Sequence, residues 1–189
     1  MSWEEVAALS AFGTLIVIAA SAVAAIIQIR HMRSSNQMTS SLGLVERWAT
    51  PEYRELINYI TSGELEERLK DPNYRKSLAR VPGDRLAHPE IVLLDFWEFF
   101  GSQVKLGSMS ETSFMDVASS QCIIVWRKLT PVIAIIRRVR GPEVYDNFEY
   151  IASRSMMWEA KHPDGTYPKG TPHLPVIDEY IEDTAPNVP

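Results

Sequence analysis

Cysteine is almost missing from this chain. Cys122 is the only one among 189 residues, so no intramolecular disulfide can form and no thiolate cluster can hold a metal. A basic surplus is missing as well. The 19 Lys and Arg residues face 24 Asp and Glu residues, a net charge of −5, which argues against a dedicated nucleic-acid binder because such proteins carry a basic stripe. No segment alternates apolar and polar residues for long and no strand-turn-strand signal occurs, so β-structure is not expected. Neither a Gly-x-Gly-x-x-Gly nor a Gly-Lys-Ser/Thr phosphate cradle is present, and there is no Gly-x-Ser-x-Gly elbow for a nucleophile. These absences make a familiar nucleotide, hydrolase or metal mechanism an unpromising reading, and no cofactor is expected.

Charge is missing from one stretch in particular. Residues 6–29 are 24 residues without an ionisable side chain, and at about 1.5 Å per residue a helix of that length crosses the roughly 30 Å hydrocarbon core of a bilayer. The rival reading is a cleaved signal peptide, with the small residues around Ser21 as its cleavage site. A signal peptide has a positive start and a shorter apolar run, whereas this one begins with Glu4 and Glu5. Arg30 and Arg33 follow the stretch directly, and cytoplasmic flanks carry the excess of Arg and Lys. The expected topology is a single span with the N-terminus outside and the rest in the cytoplasm. The lone cysteine and the lack of an Asn-x-Ser/Thr site agree with a cytosolic body.

Steps of four and three along the span pick out Ala7, Ala11, Thr14, Ile18, Ser21, Ala25 and Gln28, a seam of mostly small or polar side chains. Such seams let helices approach closely in lipid, although an alanine-rich span also shows one by chance. Beyond the basic stop, Met38, Leu42, Val45 and Ala49 continue at helical spacing. Thr50 followed by Pro51 marks a new helix start, with Tyr53, Leu56, Ile57 and Ile60 on one face. The highly charged stretch from Glu64 to Arg85 reads as short helices and turns on a solvated surface. The helix starting at Pro89 is apolar around most of its girth and belongs at the centre of a bundle. Its one polar stripe, Asp95, Glu98, Ser102 and Lys105, is expected to face solvent. Pro131 is expected to kink the following helix or divide it, with Thr130 capping the second part. A last helix is expected from Pro142, and six prolines after Lys161 imply an irregular tail with one short turn around Val176–Asp183.

The fold expected is therefore all-α. A transmembrane anchor with its basic stop (residues 1–33) precedes a cytosolic bundle of about four or five helices (34–160) and a Pro-rich tail (161–189). His31, His88, His162 and His173 show no metal-ligand spacing and read as surface residues. No acid lies between Asp116 and Glu143, yet Arg127, Lys128, Arg137, Arg138 and Arg140 do. With Arg30 and Arg33 they form a candidate surface for anionic headgroups, although the last three also suit the C-terminal end of a helix dipole.

The single span, the "IRHMRSSNQ" stop, the "ERWATPEYRELINYI" helix, the aromatic "LLDFWEFFGSQVKLGSMSE" turn and the "IIVWRKLTPVI" helix together resemble a family of small bacterial single-span membrane proteins. The cytosolic helical domain of that family has no known function. The resemblance covers roughly residues 10–140 and implies a bacterial inner-membrane location, with no catalytic residue attached. The leading expectation is a non-enzymatic interaction or regulatory module whose partners are the lipid bilayer, a second copy or another membrane protein. A membrane-surface enzyme and a subunit of a larger assembly are the alternatives. A concave pocket lined by Asp95, Glu98 and an arginine from another helix would favour the enzyme, and a convex polar stripe the module.

Overall fold

A computed structural model describes residues 2–80 and 83–177. The first element, α1 (Trp3–Trp48), opens with a reciprocal cap: Ser2 Oγ accepts from the Glu5 amide at 3.2 Å and Glu5 Oε2 accepts from the Ser2 amide at 2.8 Å. It then runs unbroken for 46 residues, about 69 Å, so the apolar stretch and the segment after it are one helix. Its apolar part is exposed on every side and is long and apolar enough to cross a membrane. Only the far end enters the body: Leu44 is buried, and Gln37 Nε2 donates to Gly107 O at 3.3 Å.

The body contains six more helices, α2 (Pro51–Thr61), α3 (Glu64–Lys70), α4 (Pro72–Leu78), α5 (Glu90–Lys105), α6 (Glu111–Arg140) and α7 (Asp146–Lys161). No strand occurs among the described residues. Thr50 caps α2 through its hydroxyl, Asp71 caps α4 and Ser110 caps α6, each by accepting from an amide of the first turn. The charged stretch after Gly63 departs from a purely solvated surface. Its helices α3 and α4 bury Leu65 and Leu78 against the rest, because each short helix turns an apolar residue inward between charged neighbours.

Helices α5, α6 and α7 make the centre, and α2 to α4 lean on α5 and α6. Trp97, fully buried on α5, is the hub. It stacks on Phe148 of α7 at 5.9 Å and meets Phe114 of α6 edge-on at 6.2 Å and Trp48 of α1 at 6.2 Å. Two boundaries differ from expectation. Helix α6 passes through Pro131 without dividing, and Pro131 is exposed while Leu129, Val132 and Ile133 are buried on the inner side. Thr130 does not cap a second helix; its hydroxyl donates back to Trp126 O at 2.7 Å. Helix α7 starts at Asp146 rather than Pro142, because Tyr145 takes a left-handed conformation, φ 62°, that ends the preceding turn. Residues 163–177 are irregular, and the turn expected around Val176–Asp183 falls mostly outside the described residues.

Candidate functional site

The polar stripe of α5 is only partly a solvated face, with Lys105 exposed and Asp95, Glu98 and Ser102 half-buried. It is where α7 crosses. At Gly101 an added Cβ would lie 2.1 Å from Asn147 O, so the backbone of α7 rests directly on α5. Tyr145 gives α7 no side-chain cap, and Glu98 supplies one from the neighbouring helix instead. Its Oε2 accepts from the Phe148 amide at 2.9 Å and its Oε1 from Asn147 Nδ2 at 2.6 Å. A carboxylate here satisfies an orphan amide and meets the positive end of the helix dipole. Lys105 completes the contact, bonding Asn147 Oδ1 at 3.0 Å and pairing with Asp146 at 3.5 Å. Glu98→Gln is therefore expected to lower stability by about 1 kcal/mol and to speed amide exchange at Phe148 selectively. Unchanged exchange there would sink the capping role.

Above this crossing lies a cleft of about 490 Å³. Asp95 and Glu98 from α5 face Arg140 from α6 and Arg80 and Arg85 from the α4–α5 connection, with Leu78, Ile91 and Ile136 beneath and Tyr145 at one side. Arg85 holds Asp95 through Nη2 at 2.6 Å and Nε at 2.9 Å, and the pairing raises the guanidinium above its ordinary pKa. Burial, reinforced by the Asp95 charge, pushes the Tyr145 phenol up to about 12, so it stays protonated and donates to Asp95 Oδ1 at 3.4 Å. The strained Tyr145 backbone is clamped by Arg137, which donates to Val144 O at 2.9 Å and Tyr145 O at 3.4 Å and pairs with Glu149 at 2.6 Å. Both acids are thus committed to structural partners. Arg80 and Arg140 are exposed and make no ion pair among the described residues.

A second constellation was not legible in the sequence. His88 is fully buried, not on the surface, and pairs with the equally buried Glu90: His88 Nδ1 lies 3.2 Å from Glu90 Oε1. Tyr74 donates to both oxygens of Glu90 at 2.8 and 2.9 Å, and Tyr59 lies within 2.9 Å of Tyr74 and 3.4 Å of Glu90. The Ser77 hydroxyl donates to Tyr74 O at 2.9 Å, so its oxygen can only accept from His88 Nε2, 2.8 Å away.

The other expected site residues are not brought together. Ala7, Ala11, Thr14, Ser21, Ala25 and Gln28 are exposed, and the hydroxyls of Thr14 and Ser21 bond Ser10 O and Val17 O within α1. Counting 100° per residue, Gln28 points about 160° away from Leu44, so the inner end of the seam lies on the side of α1 opposite the body. Of the basic residues, Lys128 pairs with Glu66 at 2.8 Å and Arg137 is turned inward. Gln37 touches the α5–α6 turn while Trp48 shares a groove with Val117 and Gln121, so α6 runs in the same direction as α1. Arg138 and Arg140 stand exposed in the last turn of α6; the side chain of Arg33 is outside the described set. No group of three His, Cys, Asp or Glu able to hold a metal occurs among the described residues. Burial pushes the Cys122 thiol up to about 12, which keeps it from acting as a thiolate nucleophile.

One family model matches residues 15–155, that of a domain of unknown function, DUF4760. No curated protein matches the chain, and no solved structure does.

Proposed function

The chain belongs to the DUF4760 family, a domain of unknown function, and we propose that it is a bacterial single-span inner-membrane protein whose helical domain stands in the cytoplasm as an interaction or regulatory module. The observation that carries this reading is α1 itself. Its 24 uncharged residues are exposed all round, yet the same helix ends with Leu44 buried in the body. The family match begins inside the apolar stretch, at Leu15, and ends in α7, which supports treating anchor and body as one unit. Arg30 and Arg33 after the span, against Glu4 and Glu5 before it, support a cytoplasmic body. The family resemblance supports the bacterial membrane. The seam on the free side of α1 would let two copies pair through their spans without their bodies colliding.

The mixed-charge cleft is the recognition surface of this module, with Arg80 and Arg140 as the groups open to a partner. Its concavity, with Asp95, Glu98 and Arg140 on its walls, favours a second reading, an enzyme at the membrane surface. The module is the stronger of the two because Asp95 and Glu98 are already engaged by Arg85 and the α7 N-terminus.

The test has two parts. A fluorescent-protein fusion at the C-terminus is expected to glow and an alkaline-phosphatase fusion to stay inactive; the opposite pattern refutes the topology. Affinity purification of the full chain in mild detergent is expected to yield a second copy or a membrane partner, with partner recovery lowered in Arg140→Ala. A lone monomer refutes the module.

A further inference from the structure

A second cleft, of about 450 Å³, lies between the first turns of α6 and the end of α7, with the chain after His162 on its third side. That chain turns back: Gly165 donates to His162 O at 3.1 Å, and the Thr166 hydroxyl donates to Asp116 Oδ1. Two carboxylates line the cleft, Asp116 and Glu159, and no lysine or arginine does. Both are steadied by neutral donors, Asp116 by Thr166 and Glu159 by Ser120, whose Oγ donates to Oε1 at 2.6 Å. Neither makes an ion pair among the described residues, whereas Glu111, also on α6, pairs with Arg154 at 2.5 Å. Two negative charges therefore stand together without a counter-charge.

Ser119 gives an independent sign. It stands three residues after Asp116 on the same face of α6, lines the cleft and is only 8% exposed, yet its hydroxyl makes no hydrogen bond among the described residues. Ser155, its equal in burial, bonds Ile151 O at 2.8 Å. A buried hydroxyl in a folded protein ordinarily has a partner. His162 Nδ1 lies 2.9 Å from Trp158 O, which only accepts, so Nδ1 carries a hydrogen and Nε2 of the neutral ring is one more acceptor. Trp158, half-buried, adds an aromatic wall, and aromatic faces attract cations. No three His, Cys, Asp or Glu groups able to hold a metal converge among the described residues, and a lining of acceptors suits a cation that carries its own N–H donors. We propose that this cleft binds the primary ammonium group of a small organic cation, whose three N–H donors go to Asp116, Glu159 and the Ser119 hydroxyl, with its carbon body against Trp158. The site is separate from the mixed-charge cleft and does not depend on what that cleft recognises.

The experiment uses the full chain in maltoside micelles at neutral pH with ¹⁵N-labelled tryptophan indoles. The probe is n-butylammonium; n-butanol, without the charge, and tetramethylammonium, charged but without N–H donors, are the comparisons. The Trp158 indole signal is expected to shift saturably with n-butylammonium while those of Trp48, Trp97 and Trp126 stay in place, and neither comparison is expected to match it. Asp116→Asn and Glu159→Gln keep acceptors for Thr166 and Ser120, and each is expected to weaken binding about fivefold, the upper end for an exposed ion pair. Ser119→Ala is expected to weaken it about threefold with no fall in melting point, because the hydroxyl holds nothing in the free protein. No saturable shift at millimolar n-butylammonium, an equal shift with either comparison, or an affinity unchanged in all three variants would each overturn the proposal.

Discussion

Glu90→Ala is expected to lower the stability of the helical body by roughly 3–5 kcal/mol, since it leaves several buried polar groups without an acceptor at about 1–3 kcal/mol each. The loss has three parts in the structure. His88 keeps a buried ring whose Nδ1 no longer faces a carboxylate, Tyr74 loses the acceptor for its hydroxyl, and Tyr59 loses its second neighbour. Both His88 and Glu90 are completely buried, so water does not replace what is removed. Glu90→Gln keeps an acceptor for Tyr74 and the packing volume, and a smaller loss is expected. The check is thermal unfolding of the purified full chain in detergent, followed by tryptophan fluorescence, with a melting point roughly 10 °C lower for Glu90→Ala. A loss under about 1 kcal/mol would mean that the network is not closed to solvent.

Gly101→Ala is expected to cost about 3 kcal/mol or more, at the upper end for overpacking, because the obstacle is backbone and not a side chain that can swing aside. The new methyl would lie 2.1 Å from Asn147 O and 2.5 Å from its carbonyl carbon. Helix α7 must then back away, and the Glu98 cap and the Lys105 contacts go with it. The sign of the effect is diagnostic. In an open helix position Ala is better than Gly by about 1 kcal/mol, and Gly43, with nothing within 4 Å of its would-be Cβ, offers that comparison within the same chain. Gly43→Ala is expected to be neutral or stabilising in the same unfolding assay. If Gly101→Ala behaves like Gly43→Ala, α7 does not cross α5 there.

Much of the architecture was legible because its causes are local. Thr50 before Pro51 is read directly from capping chemistry, and it stands where expected. The apolar girth of α5 correctly placed Trp97 at the centre. What escaped depends on chain segments meeting across the fold. A carboxylate that caps another helix and one that faces water have the same spacing on their own helix, so Asp95, Glu98, Ser102 and Lys105 could not be told apart from a solvated stripe. The available clue was Gly101, a glycine inside a strong helix about 40° from the edge of the stripe at 100° per residue. His88 and Glu90 are two residues apart across a helix start, a spacing no helical face selects, and their tyrosines come from α2 and α4.

The unbroken course of α1 from Trp3 to Trp48 has a mechanical meaning in the proposed orientation. Between the span and the core the stretch holds no proline, and Gly43 is in regular helix, so the backbone bonding runs on without a break. A twist of the span about its own axis would therefore turn Leu44 and Trp48 by the same angle, and both are seated in the body. The anchor is a drive shaft more than a tether. Any partner that rotates one span against another inside the bilayer would carry the mixed-charge cleft around with it, reorienting a surface tens of ångströms away without moving a single hinge.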